Sequence, residues 1–166
     1  MKLHHPNAEA IARQYIGVDR TLEVLGWGVG GAVFASPVQS TAIKVHLHAD
    51  GFEREVAAYR RLQQHHVSAV LGFAVPEFID ANASLRVVEM TIVRPPYLLD
   101  FANARVDSPP DFDAEVMSEW WQRLADRFGD RLLDVRAVYE TLIQQYGIYY
   151  FDLKPGNIEF GEQPHT

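Results

Sequence analysis

The order of local patterns in the sequence predicts an α+β protein with two unequal lobes. Short apolar and β-branched runs, broken by Gly and Pro, dominate residues 21–93 and indicate five strands. One amphipathic helix, residues 51–66, interrupts them. After the Pro95-Pro96 step the chain carries two further helical patterns, residues 112–128 and 130–146. Strands followed by helices, rather than alternating with them, are typical of the α+β class.

Each element has a local signal. Residues 8–16 favour a short helix, and Pro95-Pro96 ends the last strand because proline has no N–H to donate. Pro109-Pro110 opens the helix over 112–128, and Gly129 ends it. The helix over 130–146 places apolar residues at 3–4 spacing, and a strand-like segment from 148 closes the chain. The predicted strands are residues 21–26, 32–36, 41–48, 77–80 and 85–93.

Length and composition limit the classes of function. A chain of 166 residues with 48% hydrophobic residues predicts one folded domain over residues 1–166. The formal net charge of −7 argues against nonspecific binding to nucleic acid or to an anionic membrane. The absence of cysteine excludes a disulfide framework and a thiol nucleophile. With neither a signal-peptide pattern nor a long apolar run, we expect a cytoplasmic protein.

A glycine-rich segment has the spacing G-x-G-x-x-G-x-V, formed by Gly26, Gly28, Gly31 and Val33. Glycines of a tight hairpin are the alternative explanation. Strand-forming residues and Pro37 follow the glycines, which disfavours the helix start of a dinucleotide fold. The segment therefore predicts a strand–loop–strand flap whose backbone N–H groups can close over phosphates.

Lys44 stands inside an apolar strand, where a solvated sheet face is the ordinary explanation for a lysine. The next helix argues for a buried position, because Glu55 lies within the apolar stripe of that helix. A carboxylate on a buried face is unfavourable unless it is paired. We therefore expect a Lys44–Glu55 ion pair, which would hold the lysine ammonium for nucleotide phosphates.

The segment Asp152-Leu153-Lys154-Pro155-Gly156-Asn157 is either a polar turn or a D-x-K-x-x-N catalytic loop. In a phosphoryl-transfer site the aspartate accepts the proton of the attacking hydroxyl. The lysine neutralises charge on the phosphoryl group, and the asparagine oxygen binds Mg²⁺.

These motifs, in this order, resemble the protein-kinase-like superfamily over residues of about 20–160. The resemblance implies a five-stranded antiparallel small lobe with one helix over residues 20–93. A hinge link and a reduced helical lobe would cover residues 94–166. It also implies that the site binds ATP with Mg²⁺. It places a hinge at residues 88–91 that would receive adenine through its backbone. It assigns nucleotide binding to Gly26, Gly28, Gly31, Val33, Ala42, Lys44, Glu55, Glu89 and Thr91, catalysis to Asp152 and Lys154, and metal binding to Asn157.

Several features depart from the family pattern. Tyr150-Phe151 replace the His-Arg that usually precedes the catalytic aspartate. After Asn157 the sequence has no Asp-Phe-Gly metal motif and no activation segment. Asp100 is the candidate for a ribose contact after the hinge. We expect His46 and His48 to lie on an ordinary exposed strand face.

Three functional hypotheses remain open. The first is a minimal ATP/Mg-dependent phosphotransferase whose phosphoacceptor is either a protein or a small molecule. The second is a pseudokinase-like module that binds nucleotide or protein without phosphotransfer. The third is an α+β protein in which the motifs are coincidental.

Overall fold

The computed structural model describes residues 6–162, which form four α-helices and eleven short strands. The helices are α1 (Pro6–Ile16), α2 (Ala49–Gln64), α3 (Ala114–Phe128) and α4 (Leu132–Tyr146), with a 3₁₀ turn at Gly129–Arg131. The strands are β1 (Val24–Gly28), β2 (Gly31–Ala35), β3 (Thr41–His46), β4 (Ala69–Val70), β5 (Phe73–Ala74), β6 (Phe78–Asn82), β7 (Val87–Thr91), β8 (Tyr97–Leu98), β9 (Arg105–Val106), β10 (Ile148–Tyr149) and β11 (Ile158–Glu159).

The main sheet has five antiparallel strands in the order β1-β2-β3-β7-β6. This confirms the predicted α+β class with a five-stranded antiparallel sheet. Strand β3 is central, and all six of its residues are buried. Helix α1 packs on one face of the sheet through an apolar cluster that includes Ile43 and Val45. The other face of β3, with Lys44 and His46, lies towards α2.

The expectation of an exposed strand face for His46 is wrong. Its side chain is 2% exposed because α2 covers that face of the sheet, and its ring packs edge-on against Phe52. His48 lies beyond the end of β3 and is exposed, in the N-cap position of α2. The alternation along the strand therefore ends before the second histidine.

The helices begin and end close to their predicted positions for local reasons. Asp113 caps α3 by accepting a hydrogen bond of 2.9 Å from the Val116 N–H, which satisfies an otherwise unpaired helix donor. Gly147 ends α4 with a left-handed φ of 65°, a conformation that favours glycine. None of the helices among residues 6–162 is long and apolar enough to cross a membrane.

Two small sheets join segments that are distant in sequence. Strand β9 pairs with β10, and β8 pairs on one side with β11 and on the other with β5. These strands have only two residues each, so they carry no periodicity from which to predict them. Together with α2, α3 and α4 they enclose the larger apolar core, which includes Tyr59, Phe101 and Leu142.

Candidate active site

A cavity of about 770 Å³ opens between the β1–β2 hairpin, β3, α2, the end of β7 and the loop after β10. This volume falls in the range typical of small-molecule sites, about 300–1,000 Å³. The structure brings almost all of the predicted site residues to this one cavity. Those that line it are Gly26, Gly28, Gly31, Val33, Ala42, Lys44, Glu55, Thr91, Asp152, Lys154 and Asn157.

The glycines of the hairpin have two different structural roles. A side-chain Cβ at Gly26 or Gly28 would meet nothing within 4 Å, so the hairpin leaves open space there. At Gly31 a Cβ would lie 2.1 Å from the Val45 carbonyl oxygen of the neighbouring strand. Gly31 is thus required by the close approach of β2 to β3, whatever the hairpin binds.

The expected ion pair between Lys44 and Glu55 is present. The Nζ atom of Lys44 lies 2.8 Å from Oε2 of Glu55, and the two residues are 8% and 0% exposed. Burial alone would lower the pKa of Lys44, but the charges of Glu55 and Asp100 outweigh it and the pKa is raised. Burial alone would raise the pKa of Glu55, but the Lys44 charge outweighs it and that pKa is lowered. Both groups are therefore charged at neutral pH.

His46 is a further member of this buried centre that the sequence did not predict. Its Nε2 atom lies 2.7 Å from Oε2 of Glu55, on the same strand face as Lys44. The signal was available in the sequence, because residues two apart on a strand point to the same face. Once Glu55 is placed on that face, His46 is within its reach.

Asp100 binds the same ammonium group from the opposite side. Its Oδ1 atom lies 2.9 Å from Nζ of Lys44 and accepts a second hydrogen bond, of 3.3 Å, from the Ala102 N–H. Burial would raise the pKa of Asp100, but attraction to Lys44 outweighs this effect and lowers it. The expectation from sequence was a ribose contact, whereas the structure places this carboxylate at the lysine ammonium.

The loop after β10 holds its polar side chains together. Nδ2 of Asn157 donates to the backbone oxygen of Asp152 at 2.9 Å and to its carboxylate at 3.0 Å. Both amide hydrogens are thereby used, which leaves the Asn157 side-chain oxygen for another partner. Nζ of Lys154 lies 3.4 Å from the other carboxylate oxygen of Asp152.

Buried contacts fix this loop to the segment that carries Asp100. The Tyr150 side chain is fully buried, and its hydroxyl donates to the backbone oxygen of Leu99. The Leu99 N–H in turn donates to the backbone oxygen of Asn157 at 2.7 Å. Tyr150 thus anchors the loop to the segment of Leu99.

The structure does not bring Glu89 to the cavity. Its carboxylate lies on the α1 face of the sheet, where it accepts hydrogen bonds from Thr41 at 2.6 Å and Tyr15 at 2.8 Å. Thr91 does line the cavity, but its N–H donates to the Glu77 carbonyl at 3.0 Å. Glu89 and Thr91 both lie in β7, which is hydrogen-bonded to β3 on one side and to β6 on the other, so the pairing of the sheet fixes the position of each residue. Beyond the strand, residues 92–93 also line the cavity.

Comparison with known proteins finds a partial match among the solved structures. No protein-family model matches the chain, and no curated protein matches it. The ternary complex of streptomycin, ATP and APH(2")-IIa is similar at 18% sequence identity, with a TM-score of 0.39. The match covers 57% of this chain and 30% of that one.

Proposed function

We propose that this protein is a kinase-like phosphotransferase that binds ATP with Mg²⁺ and transfers the terminal phosphoryl group to a hydroxyl acceptor. The observation that carries the proposal is the cavity beneath the β1–β2 hairpin. Its walls combine an open glycine hairpin, a lysine held by a buried glutamate, and the Asp152–Asn157 loop. This combination supplies the positioning and the charge that phosphoryl transfer requires.

The nucleotide would bind between the hairpin and β7. Val33 and Ala42 offer apolar contacts for a base, and the backbone of residues 92–93 follows the sheet edge at the same cavity. The hairpin N–H groups would face the phosphates, as backbone donors do in other phosphate loops. Lys44 would contact the phosphates as a fixed point charge, because Glu55, which itself contacts His46, holds the ammonium from behind.

The free side-chain oxygen of Asn157 is a suitable ligand for a magnesium ion. Mg²⁺ prefers oxygen ligands and is usually held by one or two protein groups together with substrate phosphates. When bound, the ion would neutralise phosphate charge. The hydrogen bonds from Nδ2 of Asn157 to Asp152 fix which side-chain atom can serve this purpose.

Asp152 would act as the general base of the transfer. The acceptor oxygen forms a bond to the terminal phosphorus, the bond from that phosphorus to the bridging oxygen breaks, and ADP leaves with the bond electrons. The acceptor proton passes to the Asp152 carboxylate. Lys154, 3.4 Å from this carboxylate, would stabilise negative charge on the transferred group.

Thermal unfolding with ATP, with and without Mg²⁺, tests the proposal. Ligand at one hundred times its Kd stabilises the folded state by about 2.7 kcal/mol. For a chain of this size, that raises Tm by about 5 to 10 °C. We expect the rise to be larger with Mg²⁺ and to be lost in Lys44→Met, whose folding is checked by circular dichroism. No rise under either condition refutes nucleotide binding.

Turnover separates a phosphotransferase from the pseudokinase-like alternative. We expect ADP formation from ATP in the presence of acceptor hydroxyls, and Asp152→Asn to reduce it by about 10² to 10⁴-fold while the Tm rise persists. Turnover that survives in Asp152→Asn removes this residue as the base. A Tm rise with no turnover by the native chain favours the binding module.

A further inference from the structure

We propose that Asp100 is a second cation ligand of this site beside Asn157, with its carboxylate supplied by the segment between β8 and β9. The inference rests on the proposed function and names a ligand for its cation.

Strand pairing places Asp100 beside Asn157. Strand β8 runs antiparallel to β11, with Leu98 opposite Ile158. The Leu99 N–H donates to the Asn157 carbonyl at 2.7 Å, which continues the ladder by one residue. Asp100 follows Leu99 directly, so its side chain and that of Asn157 leave neighbouring strand ends and line the same cavity.

The segment is fixed on its other side as well. Strand β9 pairs with β10, which leads into the Asp152 loop, and Tyr150 anchors Leu99. Phe101 is fully buried against the rings of Tyr59 and Tyr150. The segment around Asp100 is therefore fixed to the same part of the site as the Asp152–Asn157 loop, although α3 and α4 lie between these two segments in the sequence.

Exposure distinguishes Asp100 from the other carboxylate on Lys44. The side chain of Glu55 is 1% exposed and also contacts His46, so it is fixed as a permanent counter-ion. The side chain of Asp100 is 35% exposed and reaches the cavity. When phosphates bind the Lys44 ammonium, Asp100 is thus the carboxylate that can release the lysine and bind a cation instead.

The charges of the cavity favour such a cation. Lys44 and Lys154 face three carboxylates in the centre of the site, those of Glu55, Asp100 and Asp152. The polyphosphate of ATP would add more negative charge next to Asp100. A divalent ion between this carboxylate, the Asn157 oxygen and the phosphates would convert that repulsion into attraction.

The experiment measures the Kd of a non-hydrolysable ATP analogue by calorimetry, in excess EDTA and in Mg²⁺. For the native chain we expect Mg²⁺ to tighten binding by about tenfold or more. In Asp100→Asn we expect the Mg²⁺ effect to fall below about threefold, with binding in EDTA unchanged or tighter, because a repelling charge is gone and Lys44 is released. The control Asp130→Asn removes an exposed carboxylate in the 3₁₀ turn and should retain the native Mg²⁺ effect.

Three outcomes overturn the inference. If Asp100→Asn keeps the full Mg²⁺ effect, or weakens binding equally in both conditions, Asp100 is a structural anchor and not a cation ligand. If the native chain discriminates against the 2′-deoxy or 3′-deoxy nucleotide and Asp100→Asn loses only that discrimination, Asp100 holds the ribose. If the native chain binds no nucleotide in either condition, the proposed function fails and the inference fails with it.

A second variant keeps the inference falsifiable if Asp100→Asn does not fold. Asp100→Glu preserves the charge on a longer side chain. Mg²⁺ demands rigid octahedral geometry, whereas Ca²⁺ tolerates variable geometry. We therefore expect Asp100→Glu to lose more of the Mg²⁺ effect than of the Ca²⁺ effect on nucleotide Kd, and an unchanged ratio of the two effects overturns the inference.

Discussion

Replacing Lys44 with methionine should show how strongly the buried charges depend on one another. The ammonium lies 2.8 Å from Glu55 and 2.9 Å from Asp100, and Glu55 is 0% exposed. Without Lys44, the Glu55 carboxylate stays buried beside the His46 ring, at 2.7 Å, and has lost its lysine counter-ion. Removing one member of a buried ion pair typically lowers the free energy of unfolding by about 3 to 5 kcal/mol. We expect a loss of that size in Lys44→Met.

The complementary change, Glu55→Gln, should cost less. Asp100 still neutralises Lys44 in that variant, and the glutamine amide can occupy the place of the carboxylate beside the His46 ring. We expect a loss of about 1 to 3 kcal/mol. The double variant removes both charges of the Lys44–Glu55 pair, so its loss should be about 2 kcal/mol smaller than the sum of the single losses.

Urea unfolding at pH 7, followed by circular dichroism, gives the four free energies of this cycle. The matched control is Asp50→Asn with Arg54→Met, an exposed pair on the same helix with an N–O distance of 3.7 Å. Its coupling should stay below about 0.5 kcal/mol, as for other exposed i,i+4 pairs. If the loss in the double variant equals the sum of the losses in Lys44→Met and Glu55→Gln to within about 0.5 kcal/mol, the two buried charges are not coupled and the reasoning is refuted.

Two further predictions concern the hairpin and acid stability. Gly31→Ala should lower the free energy of unfolding by about 1 to 3 kcal/mol, because its Cβ would meet a backbone oxygen at 2.1 Å. Gly28→Ala, with open space at its Cβ, should change it far less, and equal urea midpoints for the two variants would contradict this. The pKa values of Glu55 and Asp100 are lowered in the folded state, so their contribution is present above about pH 4 and is lost as the pH falls through those lowered values. The Lys44→Met, Glu55→Gln double variant should lose part of this acid dependence, and an acid profile parallel to that of the native chain would contradict the assignment.

The sequence was most informative where a residue stood out against a regular pattern. Glu55 within an apolar helical stripe and Lys44 within an apolar strand each required a partner, and they partner each other at 2.8 Å. The Asp152–Asn157 segment was equally readable, because short loops place polar side chains within reach of one another. These inferences depend on local spacing and on the unfavourable free energy of an unpaired buried charge.

Features that depend on long-range pairing were not predictable. Strands β8 and β9 have two residues each. Strand β8 pairs with β11 and β5, and β9 pairs with β10, so all these contacts come from distant segments. Asp100 was therefore interpreted from its position after the hinge, while its actual partner comes from β3. Glu89 was assigned as a backbone contact of the hinge, but it lies within β7 between β3 and β6, and its side chain lies on the α1 face of the sheet.

The sequence alone determined the α+β class and the five strands of the main sheet, and eleven of the twelve site residues that it predicted line the cavity. It could do so because periodicity, turn chemistry and the need to pair buried charges act over short distances. Only the tertiary structure decided that His46 joins the buried ion pair and that Asp100 lies next to both Lys44 and Asn157. Those contacts join segments that are separated in sequence by whole helices, and they depend on which strands pair in the folded chain.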